Sequence, residues 1–467
     1  MPHPAAEWSF MNDTVKTESR ATIIGANYHG TTLCAAASRI STTNGTALSL
    51  FEKSLDNPNN EKLIKAVLSS GHRSVMEHCF FNIAFNNVSA FIEQYIIEFR
   101  LASFTVQSRR YVDFSTVRFF VSQSFSEEIG KIYTEHMDAL ISTYGELLAL
   151  DVPKEDARFV LPYCFHSNFY CTCNARELLH MICTMIYGKG SAFEEIRTLG
   201  MQLAAEFEAY FPGQIETFKN KYKTEHERSL SWISSLESKE CGSPSPLPAS
   251  VSLLSHTTLP YEDIIGAAAF NFACAENESE RSDINDLLFS TRSRELELIN
   301  LCFRINSISL SAITHLVRHR MQSVLVPCVG NAVYSNNYVL PASVRDNPRA
   351  LEIYVNAFER NTQVFKKLLD MGMDRQYAVY FALSGNTLDV IASMNGRELV
   401  HYIQLRTCNR AQWEIRDIAT DMLKLSRSAY PKVFSRLGPT CFMKGACPEG
   451  KKTCGEMASV KERFESL

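Results

Sequence analysis

The sequence predicts an α+β protein made of two tandem copies of one domain, each a sheet flanked by helices. Three observations carry that expectation. At 467 residues the chain is too long for one ordinary core, so two domains are the natural division. Short alternating apolar runs, which read as half-buried strands, stand among longer helix-like stretches. And the pattern recurs: Phe81, Ile83 and Phe85 alternate as Leu301, Phe303 and Ile305 do, at a constant separation of 220.

Taken in order, residues 1–20 are polar and mixed in charge, without the apolar centre of a secretory signal. The first copy is placed at 21–232. It opens with a short strand at Thr22–Gly25, then helices around Thr32–Arg39 and Glu61–Ser69, then the strand around Phe81–Phe85. A helix-like run reaches Glu98-Phe99-Arg100, and a long amphipathic stretch through Phe207 and Phe211 closes the copy. Residues 233–250 read as a linker because Ser243-Pro244-Ser245-Pro246-Leu247-Pro248 denies regular structure its donors and its φ range. The second copy, at 251–436, restarts with a strand at Val251–Leu254 and a helix at Tyr261–Phe270. A cysteine-containing tail follows at 437–467.

The repeat is carried by identities as well as pattern. At the separation of 220, Glu297 matches Glu77, Asn306 matches Asn86, Ser309 matches Ser89, Arg320 matches Arg100 and Ser323 matches Ser103. Asn395 to His401 matches Asn174 to His180 at a separation of 221. Agreement of spacing, polarity and identity over such a span marks an internal duplication.

Composition narrows the function. Hydrophobic content of 45% and charged content of 21% are those of a globular protein, and a net charge of -4 argues against a general nucleic-acid coat. No apolar stretch of about 20 residues appears, so no membrane span is expected. The 14 cysteines have no disulfide-like rhythm, which suits a reducing cytoplasm.

Chemistry concentrates at Arg318-His319-Arg320, fed by an apolar run and followed by Ser323. Alone, such a triplet fits either a solvated helix end or an anion site, since arginine forks match phosphate and carboxylate. The wider set decides. The chain contains Gly71-His72-Arg73-Ser74-Val75-Met76-Glu77-His78, Ser108-Arg109-Arg110-Tyr111, Ala157-Arg158-Phe159-Val160-Leu161-Pro162, Arg318-His319-Arg320, and Asn395-Gly396-Arg397-Glu398-Leu399 leading to Leu405-Arg406 and Ala411-Gln412-Trp413-Glu414-Ile415. In this ordered set the chain resembles the flavin-dependent thymidylate synthases, two copies in tandem. The motifs are divided between the copies. The first keeps His78, Ser108, Arg110 and Arg158 but reads Glu98-Phe99-Arg100 and Met185 where the second has Arg318-His319-Arg320 and Arg406. The second has Leu298, Gly330 and Val379 where the first has His78, Arg110 and Arg158.

The resemblance implies a FAD-dependent methylation of dUMP to dTMP, with methylenetetrahydrofolate and NADPH as co-substrates. It implies that Ser108, Arg110, Arg158, Arg318 and Arg406 grip the nucleotide. Arg406 would also act catalytically, stabilising negative charge that develops on the uracil ring. His78, His319, Arg320, Asn395, Arg397 and Arg410 correspond to positions that hold the flavin, His78 lying near the folate as well. Asn174 and Arg176 would serve flavin or cap a helix. No enzymic cysteine nucleophile is implied. A family tetramer implies a homodimer of this chain in a pseudo-tetrameric arrangement. Leu325, Val326 and Pro327 replace polar family positions, so another pyrimidine nucleotide, or a nucleotide- and flavin-binding protein without turnover, is the alternative. In the tail, Cys441, Cys447 and Cys454, with Cys408 as a fourth, lack the close Cys-x2–4-Cys pair usual for zinc, and no metal is expected.

Overall fold

Two four-stranded antiparallel sheets account for the alternating segments. A computed structural model describes residues 18–261, 263–264, 288–289 and 293–467. The polar stretch before residue 18 and most of the helix expected at Tyr261–Phe270 lie outside the described residues. The first sheet contains β1 (Arg20–Ala26), β2 (Phe80–Ser89), β3 (Ala102–Val106) and β4 (His166–Asn174), in the order β1-β2-β4-β3. The second contains β5 (Ser250–His256), β6 (Asn300–Ser309), β7 (Gln322–Leu325) and β8 (Thr387–Asn395), in the order β5-β6-β8-β7. Strand order and pairing sense are therefore the same in both copies. Phe81, Ile83, Phe85, Leu301, Phe303 and Ile305 are fully buried, each worth about 1.5–3 kcal/mol on leaving water.

The duplication extends to a defect. The register of β2 on β4 slips between Phe85 and Val88, and that of β6 on β8 slips opposite Leu388 and Val390. At each slip a non-glycine residue takes left-handed backbone, Asn87 at φ 49° and Ser307 at φ 54°. Such a conformation is costly for an L residue and is braced in both copies. The Asn87 N–H donates to the Asn168 side chain at 2.9 Å, and the Ser307 N–H to Asp389 at 3.0 Å.

Besides helices at Gly30–Ile40 and Asn60–Ser69, where the sequence expects them, the helices of the first copy include α1 (Ala90–Ile97), α2 (Glu127–Ala149), α3 (Ala175–Tyr187) and α4 (Glu194–Phe207). Those of the second include α5 (Leu310–Leu316), α6 (Pro348–Asp370), α7 (Gly396–Arg406) and α8 (Trp413–Ala429). Their starts follow the same side-chain logic. Ser89 and Ser309 accept the N–H of Ile92 (3.2 Å) and Ala312 (3.0 Å), while Asn174 and Asn395 accept those of Glu177 and Glu398, both at 2.9 Å. In the first turn of α4, buried Glu195 accepts the Ser89 N–H at 2.9 Å and the hydroxyls of Ser19 (2.7 Å) and Tyr380 (3.0 Å). In α8, Glu414 does the same for the Ser309 N–H (2.7 Å) and hydroxyl (2.5 Å). The glutamate of Ala-Gln-Trp-Glu-Ile thus ties a helix to the strand–helix corner.

The compact units do not follow the repeat. One comprises residues 1–242 and 343–383, the other 243–342 and 384–467. Helix α6, from the second copy, packs on α2 of the first, with His136 Nε2 and the Asn361 side-chain oxygen 2.9 Å apart and buried. Tyr377, just beyond α6, donates to Glu194 at 2.6 Å. Within the other unit, Ser245–Pro246 of the linker forms a short parallel pair with Asn337–Tyr338. No helix among the described residues is long and apolar enough to cross a membrane.

Candidate functional site

In the first unit the chain leaves β3 through a turn in which the Ser108 hydroxyl accepts the Arg110 N–H at 3.3 Å. Arg110 and Arg158 then meet at one residue. Arg110 Nε lies 2.9 Å from the Glu155 carboxylate, and Arg158 Nε donates to the Glu155 carbonyl at 3.1 Å. Ser108, Arg110 and Arg158, 50 positions apart at their extremes, are thus gathered around Glu155, which sequence reasoning did not single out. Its signal was available: Glu155 precedes Arg158 by three residues, the spacing of side chains on one helical face. Arg158 is buried at 3% exposure, while the Arg110–Glu155 pair is half-buried.

Arg109, between Ser108 and Arg110 in sequence, turns inward. It pairs with buried Glu93 at 2.8 Å and lies over the Phe165 ring at 4.8 Å, and Glu93 also takes the Ser167 hydroxyl at 2.5 Å. Alternate residues of this segment therefore divide the work, Arg109 anchoring the turn and Arg110 flanking it. His78 is exposed at the end of a short 3-10 turn, where its carbonyl accepts the Asn27 amide at 3.0 Å. Arg176 is exposed and pairs with Glu77 at 2.6 Å.

In the second unit the Arg-His-Arg triplet sits in the turn between α5 and β7. That turn sends Arg318 and Arg320 outward and buries His319 at 5% exposure. Both ring nitrogens of His319 are engaged within the protein: Nδ1 lies 3.1 Å from Glu398, and Nε2 accepts the Arg406 Nε–H at 3.0 Å. Burial depresses the ring's pKa most; the Glu398 hydrogen bond pulls it up and Arg406 pushes it down, leaving it below the ordinary histidine value. Glu398 stands inside the motif that runs from Asn395 to Leu399, but nothing in that motif points to this partner.

Asn395 and Arg397 line a cavity of about 530 Å³ together with Phe289, Leu296, Met321 and His401. The Asn395 side-chain oxygen is already committed to capping α7, as Asn174 is to capping α3, so its amide group is what it has left to offer. Arg397 pairs with Glu297 at 2.6 Å. Arg410 is exposed in the loop between α7 and α8. The cavity mixes apolar walls with amide and guanidinium donors and the carboxylates of Glu297 and Glu398, a lining suited to an aromatic ligand bearing polar groups.

The first copy keeps Asn174, Arg176 and Arg100 opposite Asn395, Arg397 and Arg320, but not the rest of the second copy's basic set. Phe99 stands where the second copy has His319, and Glu98, where it has Arg318, faces Lys189 at 3.5 Å. Burial, only partly offset by Lys189, pushes the Glu98 carboxyl up. In the tail, burial first and then the neighbouring thiols of Cys408, Cys447 and Cys454 push the Cys441 thiol up. Among the described residues no group of three or more His, Cys, Asp or Glu side chains is arranged to hold a metal ion.

Comparison with known proteins agrees with the duplicated architecture. The family described as "Thymidylate synthase complementing protein" matches twice, over residues 22–213 and 252–432. A flavin-dependent thymidylate synthase of Geobacter sulfurreducens is 32% identical over 229 residues, covering 46% of this chain and 98% of the relative. That of Clostridium tetani is 26% identical over 240 residues, covering 46% and 96%. A solved thymidylate synthase X from Helicobacter pylori, with FAD and dUMP, aligns at 18% identity over 42% of this chain and 99% of its own, with a TM-score of 0.35. Matched twice and over most of its length, the chain belongs to the thymidylate synthase complementing protein family and carries the family domain in tandem.

Proposed function

We propose that the chain is a FAD-dependent thymidylate synthase, converting dUMP to dTMP with methylenetetrahydrofolate and NADPH. Its two copies, at 21–232 and 251–436, each contribute part of the machinery. The observation that carries this reading is the division of ligand-binding side chains. Ser108, Arg110 and Arg158 survive in the first copy only, and Arg318, His319 and Arg406 in the second only. Decay of one copy would not sort them so cleanly.

When bound, reduced FAD supplies the hydride that completes the methyl group. Arg320, Asn395, Arg397 and Arg410 would hold it. His78 would border flavin and folate, and His319 would serve through the turn it anchors. The cavity beside Asn395 and Arg397, with its apolar walls and their amide and guanidinium, suits such a ligand. For the nucleotide, Arg110, Arg158 and Arg318 would neutralise the phosphate, Ser108 would add a hydroxyl, and Arg406 would stabilise charge developing on the uracil carbonyl. The Arg110–Glu155 pair keeps the guanidinium from standing uncompensated before the ligand arrives. The deciding experiment follows flavin oxidation anaerobically with dUMP and methylenetetrahydrofolate and identifies the pyrimidine product by mass. A product one methyl heavier than dUMP is expected; flavin that stays reduced, with dUMP unchanged, would refute the assignment.

Two expected results test the division of labour. Arg320→Ala should cost FAD occupancy at least about tenfold more than Arg100→Ala, its partner in the first copy. Equal losses on purification would place the flavin in both copies. Assembly gives the second. The chain should sediment as a dimer that saturates at one FAD and one dUMP per 467 residues, because Glu98 and Met185 cannot neutralise a phosphate. Calorimetric titration to two of each per chain would contradict this.

A further inference from the structure

In the second unit three side chains form a relay that ends on an arginine. Glu398, 8% exposed, lies 3.1 Å from His319 Nδ1, and His319 Nε2 accepts from Arg406 Nε at 3.0 Å. A guanidinium has donors only, so Nε2 must be unprotonated and the ring's single proton must sit on Nδ1, donated to Glu398. The Tyr402 ring packs edge-on against the imidazole at 4.8 Å and the His401 ring lies at 5.6 Å, which leaves the ring little freedom to swing. The bond to Arg406 engages Nε and thereby fixes the plane of the guanidinium.

The first copy supplies an internal control. It keeps the carboxylate as Glu177 but has Phe99 and Met185 at the places of His319 and Arg406. There the carboxylate accepts a backbone N–H, that of Leu101, at 3.3 Å. A purely architectural use of this glutamate therefore exists in the same molecule, and the imidazole–guanidinium relay is added to it in the second copy.

We propose that Glu398 is a positioning residue which, through a neutral His319 ring, orients the Arg406 guanidinium toward the pyrimidine and makes nucleotide binding proton-sensitive. This rests on the functional reading above. A second proton on His319 would set two donors face to face at Nε2 and break the bond to Arg406. The charged and titratable groups facing the ring are Glu398, Arg406 and His401. Because the folded ring titrates below the ordinary histidine value, the grip is present at neutral pH and is lost as pH falls through the ring's folded pKa. Glu398 pulls that pKa up, so removing its charge should move the loss to lower pH.

The test is dUMP binding by the full-length, flavin-loaded protein between about pH 5 and 8, for wild type, Glu398→Ala and Glu398→Gln. Glu398→Ala should weaken dUMP at neutral pH by about tenfold or more. Glu398→Gln, whose amide oxygen still accepts from Nδ1, should recover most of that loss while its acid limb lies below the wild-type one. A merely architectural glutamate would lower thermal stability in both variants and leave the limb where it was. Should Glu398→Ala fail to fold, the position of the Glu398→Gln limb decides alone. Wild-type binding with an unmoved limb, or with Glu398→Ala binding normally, overturns the relay and spares the function. Absence of dUMP binding by the wild type overturns both.

Discussion

Arg406→Ala is expected to slow single-turnover dTMP formation by about 10²–10³-fold, a loss of roughly 2.7–4 kcal/mol of transition-state stabilisation. The magnitude follows from where charge appears. In the proposed reaction, attack on the pyrimidine would push electron density onto a ring carbonyl, and a guanidinium already fixed by His319 would need no reorganisation to meet it. The same position in the first copy, Met185, is fully buried. Met185→Ala should therefore act by opening a cavity, costing about 2–5 kcal/mol of stability while the rate per folded molecule is kept. Rapid-quench measurement of product alongside thermal melting separates the two. A rate loss in Met185→Ala as large as that in Arg406→Ala would mean that both copies catalyse.

Glu195→Ala should destabilise the first unit by about 3 kcal/mol, lowering its melting temperature by roughly 6–12 °C. The substitution removes the acceptor for the Ser89 N–H and for the hydroxyls of Ser19 and Tyr380, and the N–H cannot turn to another partner. Burial raises the Glu195 carboxyl pKa, and the hydrogen bonds from Ser89, Ser19 and Tyr380 only partly restore it. A carboxyl with a raised folded pKa contributes stability that is present below its unfolded value, about 4.3, and is lost as pH rises through the folded one. Glu195→Gln, which does not ionise, should accordingly compare best with the wild type at neutral pH and worst in acid. Calorimetric scans across that range would show a constant difference if the carboxyl titrated alike in both states.

Much of the architecture was legible because it is written in short-range pattern. Alternation marked the central strands, and Asn174 was read as a flavin ligand or a helix cap, the second of which the structure shows. The bulge at Asn87 and Ser307 was not legible, since neither residue type demands left-handed backbone; it follows from register against β4 and β8. Arg110, Arg158, His319 and Arg406 were candidates by motif, but the pairing of Glu155 with Arg110 and of Glu398 with His319 was not legible. Their function depends on which cation folds against them, and a carboxylate in sequence looks the same whether solvated or paired. His319 is the clearest instance. Three consecutive basic residues suggest exposure, yet the turn between α5 and β7 buries the middle one, where a buried carboxylate compensates its ring. The grouping of residues 343–383 with the first unit depends on pairings such as His136 with Asn361, more than 200 positions apart, which no local window contains.

That grouping bears on what happens to a tandem gene after it arises. The polypeptide passes from one unit to the other near residue 242, returns near 342 and leaves again near 383. A break in the proline-rich stretch would therefore release neither half as a finished body, because the amino-terminal piece would have surrendered α6 and the carboxy-terminal piece would carry a helix with nothing to cover it. The two copies have become mutual scaffolds, and a return to two separate genes is obstructed by packing as well as by the parcelled-out arginines. With the site divided as proposed, fusion works as a ratchet: each loss in one copy would be tolerated because the other is always synthesised with it, one for one.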